Sequence, residues 1–229
     1  NSFLNNYEES YLIDVDEDVV IKSESEVGVY YAYQTLKQLI RYEKGRIIIP
    51  KCEIYDWPAF RVRGFMHDIG RSYIPVSELK KQIKYLSHFK INVFHWHLTE
   101  NQAWRLQSMK YPELNYPQNM TRQKGKYYTL DEAKDLNEFC KKHHVLLIPE
   151  IDMPGHSAAF VRTFNTDMQS EKGIAILKDI IDEVCETLDV PYIHIGTDEV
   201  AFTNPNFVSE MVSYIRNKGR KVISWNPGW

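Results

Sequence analysis

The pattern of apolar and polar positions changes character near residue 58. From there, five short apolar runs of strand length follow one another, separated by segments in which apolar residues recur at helical spacing, as Ile174, Leu177 and Ile181 do. Strands that alternate with helices are typical of right-handed βαβ units and a parallel sheet. The five predicted strands are residues 63–68, 92–98, 145–151, 192–198 and 221–226.

The first 57 residues follow a different pattern. Apolar and polar residues alternate over residues 11–15, and a second apolar run at 19–21 follows three acidic residues, which predicts a β-hairpin. The period then becomes helical from Ser25 to near Gly45, and the run at 46–50 predicts a further strand. We therefore expect a small α+β layer of ββαβ order. The apolar face of its helix is predicted to comprise Val29, Ala32, Leu36, Leu39 and Ile40.

Reactive side chains follow each of the five later strands at its C-terminal end. The fourth strand ends by presenting two adjacent carboxylates, Asp198 and Glu199. In (β/α)8 TIM barrels the C-terminal ends of the strands carry the chemistry, so this placement predicts an α/β fold of that type. The polar and aromatic residues at these ends are Asp68, Arg71, Glu100, Glu150, Asp152, His156, Asp198, Glu199 and Trp225.

The number of strands falls short of a closed barrel. A (β/α)8 domain has eight strands and typically takes about 250 residues, whereas only about five βα units follow residue 57. We therefore expect a truncated barrel, with open sheet edges through which the chain could self-associate.

Composition and charge exclude several classes of function. The formal net charge is −3. The sequence has no run of Lys and Arg residues of the kind that binds nucleic acid or an anionic membrane. No apolar stretch approaches the roughly 20 residues of a membrane-spanning helix. The three cysteines, Cys52, Cys140 and Cys185, are too few and too widely spaced to predict a disulfide framework or a zinc site. No cofactor or metal is implied, and the compartment cannot be read from the sequence.

Four motifs, taken in order, resemble those of a known enzyme family. They are Arg63-Gly-Phe-Met-His-Asp68, His95-Trp-His-Leu98, Pro149-Glu-Ile-Asp-Met-Pro-Gly-His156 and His194-Ile-Gly-Thr-Asp-Glu199. Their order and spacing are similar to glycoside hydrolase family 20, the β-N-acetylhexosaminidases. The resemblance implies that residues 1–57 are the C-terminal part of a small α+β accessory domain, and that residues 58–229 are the N-terminal portion of the (β/α)8 catalytic barrel. It also favours a secreted, periplasmic or lysosomal parent protein.

The resemblance implies a retaining glycosidase that removes terminal β-linked N-acetylglucosamine or N-acetylgalactosamine. The 2-acetamido group of the substrate would be the nucleophile, giving an oxazolinium intermediate. Glu199 would be the general acid/base, and Asp198 would orient the acetamido group. The consecutive pair fits this chemistry, because ordinary retaining enzymes hold two carboxylates on opposite sides of the bond, roughly 5–5.5 Å apart.

The same resemblance assigns supporting roles. Arg71 would bind hydroxyl groups of the terminal sugar, and Trp225 would line the acetamido pocket. His156 would hold the acid through a hydrogen-bond relay in which Glu100 and Asp152 are the supporting carboxylates.

This chain departs from the family pattern at two of the matched positions and beyond its last strand. The family often has Asp where this chain has Glu100, and Gly where it has Thr197. The family's later tryptophans, and a tyrosine that stabilises the oxazolinium, belong to strands that this sequence does not include.

Two alternatives remain open from the residues themselves. His95 and His97 lie two apart on a predicted strand, so their side chains point the same way. Together with His156, His194 and Asp198 they could form the centre of a metal-dependent TIM-barrel hydrolase. The other alternative is an inactive sugar-binding barrel fragment. For both the glycosidase and the inactive sugar-binding fragment, the expected partners are glycans that contain N-acetylhexosamine.

Overall fold

The structure is a computed structural model that describes residues 8–225. The chain divides into two compact units. The first comprises the residues up to Arg63 together with Lys84–Asn92, and the second comprises Gly64–Ile83 and the residues from Val93 onward.

In the described residues, the first unit contains a three-stranded antiparallel sheet, a separate two-stranded hairpin and one complete helix. Its elements are β1 (Tyr11–Val15), β2 (Val19–Lys22), α1 (Glu26–Leu39), β3 (Arg41–Glu43), β4 (Arg46–Ile48) and β5 (Cys52–Asp56). The sheet order is β2-β1-β5, and Val15 pairs with Val19 across the predicted hairpin turn. Tyr11, Ile13 and Ala32 are buried in its core.

Two predictions for this unit are wrong at the C-terminal side of α1. The helix ends at Leu39 rather than near Gly45, because β3 and β4 form a separate antiparallel hairpin. The third strand of the sheet is therefore β5, and the predicted strand at 46–50 lies in the exposed hairpin instead. Val29 and Ile40, which the helical pattern placed on the apolar face, are about half exposed because Tyr31 and Ala32 define the buried face.

The second unit is a parallel sheet in which helices follow the strands. Its elements are β6 (Gly64–Asp68), α2 (Val76–His88), β7 (Val93–His97), α3 (Leu130–Lys142), β8 (Leu146–Glu150), α4 (Ala158–Phe164), α5 (Glu171–Thr187), β9 (Tyr192–His194), α6 (Phe207–Asn217) and β10 (Lys221–Ile223). The last turn of α2 belongs to the first unit. The strand order is β10-β9-β8-β7-β6, and every pairing is parallel. This is the α/β arrangement of part of a (β/α)8 barrel, as the sequence predicts.

One helix of this unit, α5, buries the apolar stripe that the sequence predicts. On α5, Ile174, Leu177 and Ile181 are buried. Helix α3 begins with a capping box, in which Thr129 and Glu132 each accept the other's backbone N–H. Helix α4 has no counterpart among the predicted elements. No helix in residues 8–225 is both long enough and apolar enough to cross a membrane.

Candidate active site

Glu100 is a fully buried carboxylate that joins two predicted site residues. Its Oε1 lies 2.5 Å from Nη2 of Arg71 and 2.5 Å from Nδ1 of His156. Its Oε2 accepts the backbone N–H of Asn101. A buried carboxylate is stable only with such charged and hydrogen-bonding partners. Gly70 makes this packing possible, because a Cβ there would lie 2.6 Å from Cβ of Glu100.

His156 lies between this buried carboxylate and the adjacent acid pair. Its Nδ1 faces Glu100, while its Nε2 lies 3.3 Å from Oε2 of Glu199 and 3.8 Å from Oδ2 of Asp198. The imidazole is largely buried, whereas the Glu199 side chain is 76% exposed. The structure therefore places His156 between Glu100 on one side and the carboxylates of Asp198 and Glu199 on the other.

Asp198 and Glu199 lie on an irregular loop rather than at the end of a strand. The predicted strand 192–198 is too long, because β9 ends at His194. Gly196, Thr197 and Glu199 have φ values of 67°, 82° and 52°, which cannot continue an extended strand. A positive φ at the β-branched Thr197 is strained. The loop turns the Glu199 side chain towards solvent.

Asp152 packs directly beneath this loop. A Cβ on Gly196 would lie 1.7 Å from Oδ1 of Asp152, so both the contact and the positive φ require glycine there. Among the described residues, neither carboxylate oxygen of Asp152 has a hydrogen-bond partner. Burial, followed by the negative charge of Glu150, raises the pKa of Asp152 to about 7. Asp152 can therefore carry a proton near neutral pH, at a position next to the acid-bearing loop.

The Arg71 guanidinium contacts two carboxylates and is partly exposed to solvent. Its Nη1 lies 2.5 Å from Oδ2 of Asp68, and its Nη2 contacts Glu100. Asp68 also accepts the Arg71 backbone N–H at 2.9 Å. The side chain remains 44% exposed, so part of its guanidinium is accessible to a ligand.

A second buried carboxylate, Glu150, was noted at a strand end in the sequence but was assigned no role there. Strand register places His97, Glu150 and His194 side by side on β7, β8 and β9. Glu150 Oε2 lies 2.6 Å from Nε2 of His95 and 2.8 Å from Nδ1 of His97. Its Oε1 lies 3.1 Å from Nδ1 of His194 and accepts the indole N–H of Trp225 at 3.1 Å.

The charges in this cluster compensate one another. Burial alone would raise the pKa of Glu150, but hydrogen bonds from the three histidines outweigh it and hold the pKa well below its usual range. Burial alone would likewise lower the pKa of His97, but the hydrogen bond and charge of Glu150 raise it. The i, i+2 spacing of His95 and His97 is the sequence signal for this cluster, but by itself it indicates only a possible pair of metal ligands.

Three groups in the described residues have potential metal ligands within 4.8 Å of one another: His95, Glu150 and His194; His97, Glu150 and Asp152; and Asp152, His156 and Asp198. In a tetrahedral site with metal–nitrogen bonds of about 2.0–2.1 Å, the ligand atoms lie about 3.3 Å apart. The nitrogen–oxygen distances of 2.6 and 2.8 Å at Glu150 are instead those of direct hydrogen bonds. In this arrangement the Glu150 carboxylate contacts the two imidazoles directly, as an ion cluster.

Taken together, the parallel sheet and its polar C-terminal edge define a barrel-type α/β protein with its candidate chemistry at the ends of the strands. Comparison with known proteins narrows this class. Residues 60–171 match "Glycosyl hydrolase family 20, catalytic domain", and residues 4–57 match "Glycosyl hydrolase family 20, domain 2". The chain belongs to glycoside hydrolase family 20.

Individual relatives agree with this assignment. A beta-hexosaminidase of Porphyromonas gingivalis is 35% identical over 227 residues, which cover 84% of this chain and 29% of that protein. The crystal structure of a beta-N-acetylhexosaminidase from Bacteroides fragilis has 32% identity and a TM-score of 0.85, covering 95% of this chain and 52% of that one. A mutant Streptomyces plicatus beta-hexosaminidase in complex with product (GlcNAc) has 26% identity and a TM-score of 0.85, with coverages of 96% and 52%. The chain thus spans less than two thirds of each of these proteins.

Proposed function

We propose that this chain carries the acid/base residues of a retaining glycosidase that removes terminal β-linked N-acetylglucosamine or N-acetylgalactosamine. The observation that carries the proposal is the position of His156, which contacts the buried Glu100 through one ring nitrogen and the acid pair through the other. The family membership and the GlcNAc bound to the Streptomyces plicatus relative support the same substrate class.

In the proposed reaction Glu199 donates a proton to the glycosidic oxygen as the bond from this oxygen to the anomeric carbon breaks. The carbonyl oxygen of the substrate's own 2-acetamido group forms a bond to the anomeric carbon, which gives an oxazolinium intermediate. Water then attacks the anomeric carbon as the bond from this carbon to the acetamido oxygen breaks, and it transfers a proton back to Glu199, which restores the acid. The exposed Glu199 side chain is accessible to a leaving group that lies outside the sugar pocket.

The other site residues bind and orient the substrate in this proposal. Asp198 accepts a hydrogen bond from the acetamido N–H and thereby aligns the carbonyl oxygen for attack. Arg71, held by Asp68 and Glu100, donates hydrogen bonds to the sugar hydroxyls. Trp225 lines the acetamido pocket, and His156 orients Glu199. Residues 1–57 belong to the small accessory domain and residues 58–229 to the catalytic barrel.

Sugar binding without turnover is the second candidate function. The Glu199 side chain is 76% exposed, and acid catalysis of this kind is normally assisted by a site that excludes water. The five described strands leave both β6 and β10 as edge strands, so the described barrel is open on two sides. This observation favours a binding-competent but inactive chain.

Release of p-nitrophenol from its β-N-acetylglucosaminide tests the proposal. We expect turnover by this chain to fall by roughly 10²–10⁴-fold in Glu199→Gln, the usual contribution of a general acid/base. Glu186→Gln, which changes an exposed glutamate on α5, is the matched control and should leave turnover unchanged. Calorimetric titration with N-acetylglucosamine separates the two candidates, because binding without turnover supports the second. If the chain neither releases p-nitrophenol nor binds N-acetylglucosamine, both candidate functions are contradicted.

A further inference from the structure

Trp225 lies beyond the last strand, where the sheet no longer fixes its side chain. Strand β10 ends at Ile223, two residues earlier. The Trp225 backbone N–H donates to the carbonyl oxygen of Gly196 at 2.9 Å, and its carbonyl accepts the Thr197 hydroxyl at 3.4 Å. These contacts tie the backbone of Trp225 to the loop that carries the acid pair. They do not determine the orientation of the indole ring.

Glu150 supplies the missing constraint on the ring. The indole N–H donates to Glu150 Oε1 at 3.1 Å, and the Trp225 ring lies against the imidazoles of His194 and His95 at centroid distances of 4.7 and 5.4 Å. The other oxygen of Glu150 is held by His95 and His97. A carboxylate that is fully buried and held at both oxygens has no alternative rotamer that keeps its partners, so it is a fixed acceptor for the indole.

We propose that Glu150 is a positioning residue that fixes the orientation of the Trp225 indole, and so shapes the wall against which a 2-acetamido group packs. This inference rests on the proposed function for the identity of the ligand. The anchoring of Trp225 by Glu150, however, is a property of the protein alone. Glu150 touches no substrate atom in this proposal and acts only through Trp225.

Fluorine NMR of protein labelled with 5-fluorotryptophan tests the anchoring directly. The chain has five tryptophans, and the Trp225 resonance is assigned by its loss in Trp225→Phe. We expect Glu150→Gln to shift or split the Trp225 resonance while the resonances of the other four tryptophans stay unchanged. Those four unchanged resonances would also show that the fold is intact. The matched control is Glu183→Gln, because Glu183 accepts three hydrogen bonds from Ser108, Met109 and Lys110 in another part of the unit. An unchanged Trp225 resonance in Glu150→Gln would overturn the proposal.

If Glu150→Gln does not fold, hydrogen exchange in the unmodified protein tests the anchoring of Trp225 instead. The Trp225 indole N–H should then be protected from exchange with D2O, as expected of a donor bonded to a buried carboxylate. Exchange of this proton as fast as that of a solvent-exposed indole would overturn the proposal.

Ligand binding tests the consequence for the site. We expect Glu150→Gln to weaken N-acetylglucosamine binding by about 10-fold, because the substitution replaces a hydrogen bond to a charged acceptor by a weaker one to a neutral amide. The same substitution in a Trp225→Phe background should have no further effect, because the indole N–H is already absent. Equal losses in both backgrounds would show that Glu150 does not act through Trp225. If the unmodified chain binds no N-acetylglucosamine, the proposed function fails while the fluorine spectra still decide the anchoring.

Discussion

At the scale of single residues, two buried carboxylates that are two positions apart have opposite electrostatic surroundings. Three histidines surround Glu150 and lower its pKa despite its burial. Asp152 has no hydrogen-bond partner for its oxygens within residues 8–225, and burial together with the charge of Glu150 raises its pKa. One fold thus keeps one acid ionised and the other protonated at mildly acidic pH, which is how neighbouring carboxylates acquire different roles.

This difference predicts a pH-dependent stability that comes from Asp152. Its pKa is about 7 in the folded protein, against an ordinary value of 3.8 for an aspartate, so its contribution is fully present below pH ~4 and is lost as the pH rises towards 7. One pKa unit corresponds to about 1.4 kcal/mol, so the loss is on the order of 4 kcal/mol or less. Urea unfolding of the unmodified chain and of Asp152→Asn between pH 4 and 8 should show the variant gaining relative stability with pH. Asp18→Asn, in the exposed hairpin turn, is the control, and a pH-independent difference for Asp152→Asn would contradict the prediction.

Residue types and spacing predicted part of the site but not the contact between Glu150 and Trp225. The predicted residues Glu100, His156 and Glu199 are brought together in space, since each follows a strand at the same edge of the sheet. The hydrogen bond from Trp225 to Glu150 joins residues 75 positions apart. It depends on strand register and on a ring orientation that sequence periodicity does not encode.

At the scale of elements, the alternation of strands and helices was predicted well, whereas some ends were not. The first three strands of the parallel sheet begin and end within one residue of the predicted bounds. Strand β9 ends early because positive φ values begin at Gly196, and apolar Ile195 continues the strand pattern without continuing the strand. Part of the last predicted strand, Asn226, lies outside the described residues. The end of α1 was misplaced because apolar residues also occur in the exposed β3–β4 hairpin.

The capping box at the start of α3 predicts a measurable loss of stability. The Thr129 hydroxyl accepts the Glu132 backbone N–H at 3.1 Å, and the Glu132 carboxylate accepts the Thr129 N–H at 2.9 Å. Thr129→Ala should lower the free energy of unfolding by about 1 kcal/mol, which is a fall in Tm of roughly 2–4 °C for a chain of this size. Thr129→Ser keeps the acceptor and should restore most of the loss. Thr203→Ala, at an exposed position, is the control for a lost threonine, and an equal fall in both alanine variants would rule out a capping role.

At the scale of the whole molecule, the main feature is a parallel sheet with two open edges. Parallel sheets are normally buried on both faces and closed or covered at their edges. In the part of the chain that the structure describes, β6 pairs only with β7 and β10 only with β9. Phe65 and Met66 on β6 are also 42% and 38% exposed. Unpaired backbone groups beside exposed apolar side chains form a template for further strand pairing.

We therefore expect this 229-residue chain to self-associate through its edge strands. Sedimentation velocity should show a sedimentation coefficient that rises with protein concentration. Met66→Lys should reduce that rise, because a charged side chain on an edge strand opposes pairing with another chain. Tyr42→Lys is the matched control, since it places the same charge at an exposed position of the β3–β4 hairpin without changing either edge of the parallel sheet. A monomer at every concentration, or an equal reduction by both variants, would show that the open edges do not drive association.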